Sequence, residues 1–538
     1  MKIPSPHTLL ARLLLWRLRT ARSIAHMAYR LHSRKTALID RRGSLTYHEL
    51  EQRVLCLHGW MQAEGVQKGD IVFTWLPETG EEYEARLATF ENGAILASFH
   101  KHLPPESAAA MIERLKPSVF IHDPLLSETI LQRLRQALPT LRMLAIGDEY
   151  ENALTNHRPV RGKNKISEHD VFSLHMTSGT TGEPKAIGYT HLKYLNSIRL
   201  MARAIDFRPP ESGGADVNML GLPLTGPGSG MVLPSLLAGA ALVMPEDFHA
   251  RTLLQLIQRH RVSRAYLSPS AIIDILDEPT AAEFDVSSLN HVPYGSEMMP
   301  AAKIAEAVER FGPIFQQGYA CFEALPPITW LLPNEHVDAD GNPVSSEILS
   351  SVGQVVANVD VVIRDDAFQP LPKGSTGLIT VRTPACFDGY WLDPENTRET
   401  FRDGWVVMGD IGYFDAAGYL HVLGRSADRV RKGDQWINPR EIEELSHEHA
   451  AVKEACLVQN RDETALVVSL RQSWRDRDRL EVAHKIETHL QERLEPSLLP
   501  DQVSIIEEMP RSFLNKMLRR EVRAMLGNDS AGEMATVN

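Results

Sequence analysis

The sequence predicts an α/β protein of more than one domain, and three observations point there. The chain is 538 residues long, beyond the ordinary span of a single domain. Short apolar runs alternate with longer helical patterns over much of it. After Gly424-Arg425 the sequence turns charge-rich and starts a smaller α+β pattern of its own.

The elements follow in chain order. Residues 71–75, 118–121, 142–146 and 241–244 read as strands, and 107–115, 125–137 and 252–260 as helices. Residues 378–381 and 419–423 read as strands of a second zone. The last part pairs helices at 439–446 and 480–494 with strands at 457–458, 464–470 and 503–506. Its boundary falls near residues 425–428. The small, polar residues 527–538 are expected to be a disordered tail.

Composition bounds the function. A chain 43% hydrophobic and 23% charged is an ordinary globular protein. A net charge of −12 argues against a dedicated nucleic-acid binder, whose domain is usually basic. Cys56, Cys321, Cys386 and Cys456 show no Cys-x-x-Cys spacing. That fits a reducing compartment, here the cytoplasm, with neither a disulfide framework nor a zinc site. No run of about 18 apolar residues suggests a spanning helix.

The N-terminus stands apart, with eight Lys/Arg and no acid from Met1 to Lys35. Arg12 interrupts its apolar stretch, which makes a poor secretory signal. Such a segment can lie on an anionic membrane surface as a peripheral contact, dock on its own domain, or serve as a mitochondrial presequence. Docking is the reading favoured here.

One stretch carries chemistry on its face: His175-Met176-Thr177-Ser178-Gly179-Thr180-Thr181-Gly182-Glu183-Pro184-Lys185. Glycines let a backbone approach a polyanion closely. Exposed N–H groups and hydroxyls donate to phosphate oxygens, and Lys185 adds a mobile positive charge. It is not a Walker A loop, since Lys185 follows Pro184 and precedes Ala186. Strand-like flanks at 171–175 and 186–190 place the loop on a hairpin. Taken alone, it reads equally as a phosphate clamp or a polar turn.

Several distant segments complete a pattern, and from about Lys35 to Arg519 the chain resembles the adenylate-forming superfamily. That superfamily holds acyl- and aryl-CoA synthetases, adenylation domains of nonribosomal peptide synthetases, and luciferases; the acyl-CoA synthetases are the most similar. Leu45-Thr46-Tyr47-His48-Glu49-Leu50 resembles its opening element, and Thr177 to Lys185 its phosphate-binding loop. The resemblance implies that Thr177, Ser178, Gly179, Thr180, Thr181 and Gly182 bind phosphate and that Lys185 acts in catalysis. His191 would lie near the loop or be a structural histidine. Tyr294-Gly295-Ser296-Glu297 resembles the turn that contacts adenine, through Gly295, Ser296 and Glu297. Gly318-Tyr319-Ala320-Cys321-Phe322-Glu323 implies Tyr319 stacking on adenine and Glu323 as catalytic residue and Mg²⁺ ligand. Asp410, in the Gly404-Trp405…Gly409-Asp410 element, would accept from the ribose hydroxyls. Gly424-Arg425-Ser426-Ala427-Asp428 resembles the hinge, with Arg425 on ribose or phosphate and Asp428 as pivot. Pro510-Arg511…Asn515-Lys516 makes Lys516 the catalytic lysine.

The resemblance also implies an architecture and an activity. A large N-terminal domain would combine helix-flanked sheets with a β-barrel-like part, followed by a smaller, mobile α+β domain. Expected boundaries are 1–34 for the basic segment, 35–424 for the adenylation domain and 425–429 for the hinge. Residues 430–526 would form the lid domain, ahead of the tail at 527–538. The expected reaction joins a carboxylic acid to ATP, giving acyl-AMP and pyrophosphate. It then passes the acyl group to a thiol, from CoA or an acyl carrier protein's phosphopantetheine. An amide-forming ligase and a noncatalytic nucleotide-binding relative are the alternatives.

Departures from the family pattern are specific. Phe322 stands where a threonine hydroxyl usually meets the α-phosphate. Ala320 replaces a glycine, so its backbone is expected to avoid φ > 0 or to accept strain. The stretch from Leu222 to Gly230 is small and reads as flexible where relatives carry a larger gate. Asp434 follows Lys432-Gly433 where thioester-forming relatives have a second glycine, and Asn515 replaces the glycine before Lys516.

Overall fold

Two sheets built mainly of parallel strands organise the large domain, and the apolar runs explain why. The computed structural model describes residues 15–100, 104–177, 185–204, 216–433, 435–512, 517–527 and 535–537. One sheet has six strands, in the order Arg142–Ala145, Val119–His122, Ile71–Leu76, Ile95–His100, Val171–Thr177 and Lys185–Thr190. All pairs are parallel except the last. Val119–His122 is buried along its whole length, as a strand covered on both faces must be. The expected hairpin is present: Val171–Thr177 and Lys185–Thr190 pair antiparallel, with Thr177 opposite Lys185 at the open end.

The second sheet has nine strands. Its centre is parallel, running Phe315–Tyr319, Val292–Gly295, Arg264–Leu267, Val217–Gly221, Ala241–Val243 and Thr36–Asp40. The expected barrel-like part is a five-stranded antiparallel sheet that includes Gly377–Arg382, Trp405–Phe414 and Leu420–Arg425. The sequence placed most of these elements to within a few residues. The helix expected to start at 125 starts at Glu128, because Ser127 caps it by accepting from the Ile130 N–H.

Two features were not legible beforehand. The helix Gly80–Asn92 is buried at every position although it carries four glutamates and an arginine. Those charges are enclosed in pairs. Glu84 meets Arg53 at 2.8 Å, Arg42 at 3.0 Å and the Tyr150 hydroxyl at 3.0 Å, and Glu82 meets Arg86 at 3.0 Å. The second feature is the docked N-terminus. Thr20 and Ser23 form a capping box, and the helix Ala21–His32 buries Ala21, Ile24, Ala25, Ala28 and Tyr29 in the main core. Arg199 donates to the carbonyls of Leu15 and Leu18. Residues 15–32 therefore pack on their own domain, while residues 1–14 lie outside the described residues. No helix among the described residues is long and apolar enough to cross a membrane.

The small domain holds a four-stranded sheet, Val452–Asn460, Glu463–Leu470, Gln502–Ile506 and Ala535–Val537, with the helices Pro439–His447 and Arg479–Gln491. The last strand corrects the expected tail. Val503 pairs with Val537 and Ile505 with Ala535, so a short β-prone segment extends the open edge of Gln502–Ile506. The hydrophobic clusters separate at the expected hinge. Those of the large domain end at Val422, and those of the small domain begin at Val430.

Candidate active site

The parallel strands of the nine-stranded sheet end at one rim, and the adenine-turn and Tyr319 motifs sit there. Gly295 and Gly318 lie opposite each other in neighbouring strands. A Cβ on Gly295 would sit 2.4 Å from the Gly318 carbonyl oxygen, and one on Gly318 would sit 2.5 Å from the Trp330 ring, so each glycine admits a close neighbour of its own. Ser296 follows in the left-handed region at φ 76° and turns the chain sharply out of the strand. Glu297 accepts from the Ser270 hydroxyl at 2.7 Å.

Tyr319, Asp410 and Arg425 form a triangle beside this rim. Asp410 and Arg425 face each other across paired strands, and Arg425 Nε lies 3.2 Å from Asp410 Oδ1. Arg425 also donates to the Met408 carbonyl at 2.7 Å. The Tyr319 hydroxyl donates to Asp410 Oδ2 at 2.5 Å. Burial pushes the Asp410 carboxyl up from its ordinary value, against the pull of Arg425 and the Tyr319 hydroxyl. Burial and Asp410 together hold the Tyr319 phenol well above its ordinary range.

Glu323 comes four residues after Tyr319 and is half-buried. Its Oε1 accepts from the Tyr390 hydroxyl at 2.5 Å. The Lys185 ammonium sits 5.1 Å from the centre of the Tyr390 ring and donates to Asn396 Oδ1. Glu323 and Lys185 are thus joined through one tyrosine, and the charge of Glu323 is close enough to raise Asp410. Sequence reasoning missed Tyr390 and Asn396. The signal for Asn396 is local: Asp393 caps the helix Pro394–Thr400 and accepts from the Asn396 N–H at 3.2 Å. Tyr390 leaves no such mark, because only its backbone bridge to Ile187 brings it to the hairpin.

The departures resolve physically. The Phe322 ring lies 5.5 Å from that of His175, and the Phe322 carbonyl accepts from the Tyr189 hydroxyl. Burial pushes His175 down to about 3, so it stays neutral. Ala320 avoids positive φ as expected. The stretch from Leu222 to Gly230 is pinned instead of flexible. Glu78 accepts from the Leu224 N–H at 3.0 Å, Arg86 donates to the Leu224 carbonyl at 3.1 Å, and the Tyr194 hydroxyl donates to the Ser229 carbonyl at 3.0 Å. His191 is a structural histidine: it accepts from the Ala21 N–H at 3.1 Å and stacks on Phe172 at 4.5 Å. Cys321 accepts from the Ala324 N–H at 3.3 Å, and burial keeps its thiol protonated, which suits a filler and not a nucleophile.

A cleft of about 330 Å³ runs between the domains, lined by Ser296, Tyr319, Asp410, Arg425, Asp428 and Met517 among others. Asp428 ends the turn between the domains, 3.8 Å from Arg519. Met517, which pairs with Arg511, lines this cleft. The hairpin Val430–Lys432/Gln435–Ile437 is rooted in the small domain's core through Val430 and Ile437 and exposes Arg431, Gln435 and Trp436, the last 59% exposed. Ser178, Gly179, Thr180, Thr181, Gly182, Asp434 and Lys516 lie outside the described residues, as does the side chain of Thr177.

In sequence and in fold the chain is similar to known proteins. The family model described as AMP-binding enzyme matches residues 25–391, and its C-terminal-domain model matches residues 441–516. The chain is 30% identical over 523 residues to a feruloyl-CoA synthase of an Amycolatopsis species, covering 95% of this chain and 98% of that one. It is 31% identical over 361 residues to a medium/long-chain fatty-acid–CoA ligase of Mycobacterium tuberculosis, which spans 66% of this chain but only 61% of that relative. In fold it is similar to the crystal structure of an anthranilate CoA ligase in complex with anthranoyl-AMP. The TM-score is 0.85 at 22% identity, covering 94% of this chain and 97% of that one.

Proposed function

Because the chain belongs to the family of AMP-binding enzymes, we propose that it is an AMP-forming acid–thiol ligase. It activates a carboxylic acid with ATP to an acyl-adenylate and pyrophosphate, then passes the acyl group to a thiol. The observation that carries this reading is the Tyr319–Asp410–Arg425 triangle lining the cleft between two domains, with the Glu323–Tyr390–Lys185 group near enough for the charge of Glu323 to act on Asp410.

Each group has a task suited to its setting. Tyr319 offers an aromatic face to adenine while its hydroxyl is anchored on Asp410. A carboxylate has about four acceptor sites, so Asp410 can also receive the two ribose hydroxyls. Gly295, Ser296 and Glu297 border the base, and Arg425 offsets negative charge near the α-phosphate. Thr177 to Gly182 receive the leaving pyrophosphate, with Lys185 held at the mouth of that loop by Asn396. Glu323 suits Mg²⁺, which takes one or two carboxylates and fills its shell with water and phosphate oxygens. When bound, that ion would neutralise phosphate charge. Lys516 bridges the acid and the α-phosphate, where both reactants are anionic.

The domain boundaries follow the same reading: 35–424 for the adenylation domain, 425–429 for the hinge and 430–526 for the lid, with Asp428 as pivot. Met517, next to Lys516, lines the cleft, while Arg431, Gln435 and Trp436 of the Val430–Ile437 hairpin are exposed. This supports the orientation for adenylate formation; thiol transfer then requires rotation about the hinge. CoA or a carrier protein's phosphopantetheine is the acceptor. Four free cysteines support a reducing compartment, the cytoplasm.

The test is pyrophosphate release over a panel of short, medium, long and aromatic acids, with hydroxylamine to trap the adenylate. At least one class is expected to release pyrophosphate, and a silent panel would sink the reading. Adding CoA, carrier protein or amines then identifies the acceptor. Phe322 supplies a further expectation. Phe322→Thr restores a hydroxyl near the α-phosphate and is expected to raise kcat/KM for adenylation by about tenfold, the worth of one transition-state hydrogen bond. An unchanged or lower value would show that no hydroxyl is wanted there.

A further inference from the structure

The helix Ala301–Phe311 of the large domain pushes a lysine into the small domain. Lys303 is 1% exposed, and its Nζ donates to the Val452 carbonyl at 2.6 Å. The neighbouring charges do not serve it. Glu306, one turn along the same helix, is taken by Arg471 in a two-pronged pair. Asp277, on the helix Pro269–Asp277, accepts from the Gln472 N–H at 3.1 Å and lies 4.0 Å from Lys453. Glu454, on the strand Val452–Asn460, is paired with Arg511 at 2.9 Å. His447, on the helix Pro439–His447, is buried and held neutral, and its Nδ1 has no partner among the described residues. A buried contact between domains thus contains a lysine whose neighbouring carboxylates are already engaged.

We propose that Lys303 is the release element of the domain interface. It is held as a neutral amine while the small domain faces the adenylation cleft, and protonation of its Nζ frees that domain to rotate. The proton comes from solvent: a transient opening of the contact exposes the amine, and its conversion there to an ammonium opposes redocking and so leaves the domain free to rotate. This rests on the proposed two-step reaction, in which the small domain must leave its docked orientation.

The sign follows from linkage. Burial, aided by Arg471, lowers Lys303 from its ordinary 10.5 to about 7, while Glu306, Asp277 and Glu454 oppose this only in part. The undocked lysine holds its proton more tightly, so docking is at full strength above the ordinary value. It weakens by up to about tenfold for each unit that pH falls toward 7, and is flat below that. Arg471, always charged, and His447, already neutral, add no slope in this range.

A backbone amide reports docking directly, since the Ala301 N–H donates to Glu444 of the small domain at 2.9 Å. Hydrogen exchange at Ala301, corrected for its intrinsic pH dependence, is compared between wild type, Lys303→Met and Lys303→Arg from pH 7 to 9. Wild-type protection is expected to rise several-fold per pH unit. In Lys303→Met it should be high and flat, and in Lys303→Arg low and flat. In half-reaction assays, Lys303→Met should slow thioester formation from supplied acyl-adenylate by several-fold relative to adenylate formation. A Lys303→Met protein that keeps the wild-type slope in exchange, or whose half-reactions change by one common factor, overturns the proposal. The exchange measurement needs no turnover, so a silent acid panel would count against the proposed reaction and leave this result to stand or fall separately.

Discussion

Lys516→Ala is expected to remove acyl-adenylate formation while leaving thiol transfer intact. In the first half-reaction an anionic carboxylate attacks an anionic α-phosphate. A positive group placed between them is worth about a hundred- to a thousandfold in rate, by analogy with removing one preorganised donor from a transition-state site. In the second half-reaction the attacked carbon is already activated and AMP is the leaving group. In the proposed two-step reaction the small domain rotates before this step, and Lys516 leaves with it. Thioester formation from supplied acyl-adenylate should therefore stay within about threefold of wild type, as expected for a group absent from that transition state. The measurement is pyrophosphate release alongside thioester formation in separate assays of one preparation. Equal loss in both would show that Lys516 acts by holding the fold or the docked orientation. Lys516→Arg separates charge from geometry: a single-point ammonium and a planar fork are not interchangeable at such a position.

Asp410→Asn is expected to cost about a hundredfold in kcat/KM for ATP, because hydrogen bonds to a charged acceptor are worth about 1.5–3 kcal/mol each. The change keeps the volume, and burial already penalises the charged form at this site, so folding should tolerate it. What it removes is the charged acceptor shared by Tyr319, Arg425 and, on the proposed reading, the ribose. A cycle with deoxyribose analogues of ATP gives the proof. Wild type should discriminate strongly against 2′- and 3′-deoxy-ATP, whereas Asp410→Asn should treat them much like ATP. If the variant still discriminates as wild type does, Asp410 holds Tyr319 and Arg425 in place and does not read the ribose.

Much of the fold and site was legible because it is written locally. The strand Val119–His122 is an unbroken apolar run, and Pro439 opens its helix at the first position. Tyr319, Asp410 and Arg425 stand in short motifs, and the structure brings all three within hydrogen-bond reach. What escaped is information carried by pairing between distant segments. Helix Gly80–Asn92 reads as a charged surface helix until Arg42, Arg53 and Tyr150 arrive from elsewhere to enclose Glu84. Tyr390 reaches Glu323 and Lys185 only through tertiary packing. The strand Ala535–Val537 was hidden because three residues carry too little pattern to outweigh a polar tail. Lys303 was invisible for the same reason: nothing in its own sequence neighbourhood says that a second domain will cover it.

The N-terminal helix has a practical consequence for handling the protein. Leu15, Ile24, Ala28 and Tyr29 belong to the main core, and Arg199 grips the carbonyls of Leu15 and Leu18. Removing residues up to 32 would open that core and take away two of the acceptors of Arg199, leaving it Asn196. An expression tag or cleavage site is therefore safest upstream of Leu15, where it leaves every one of these packed residues in place.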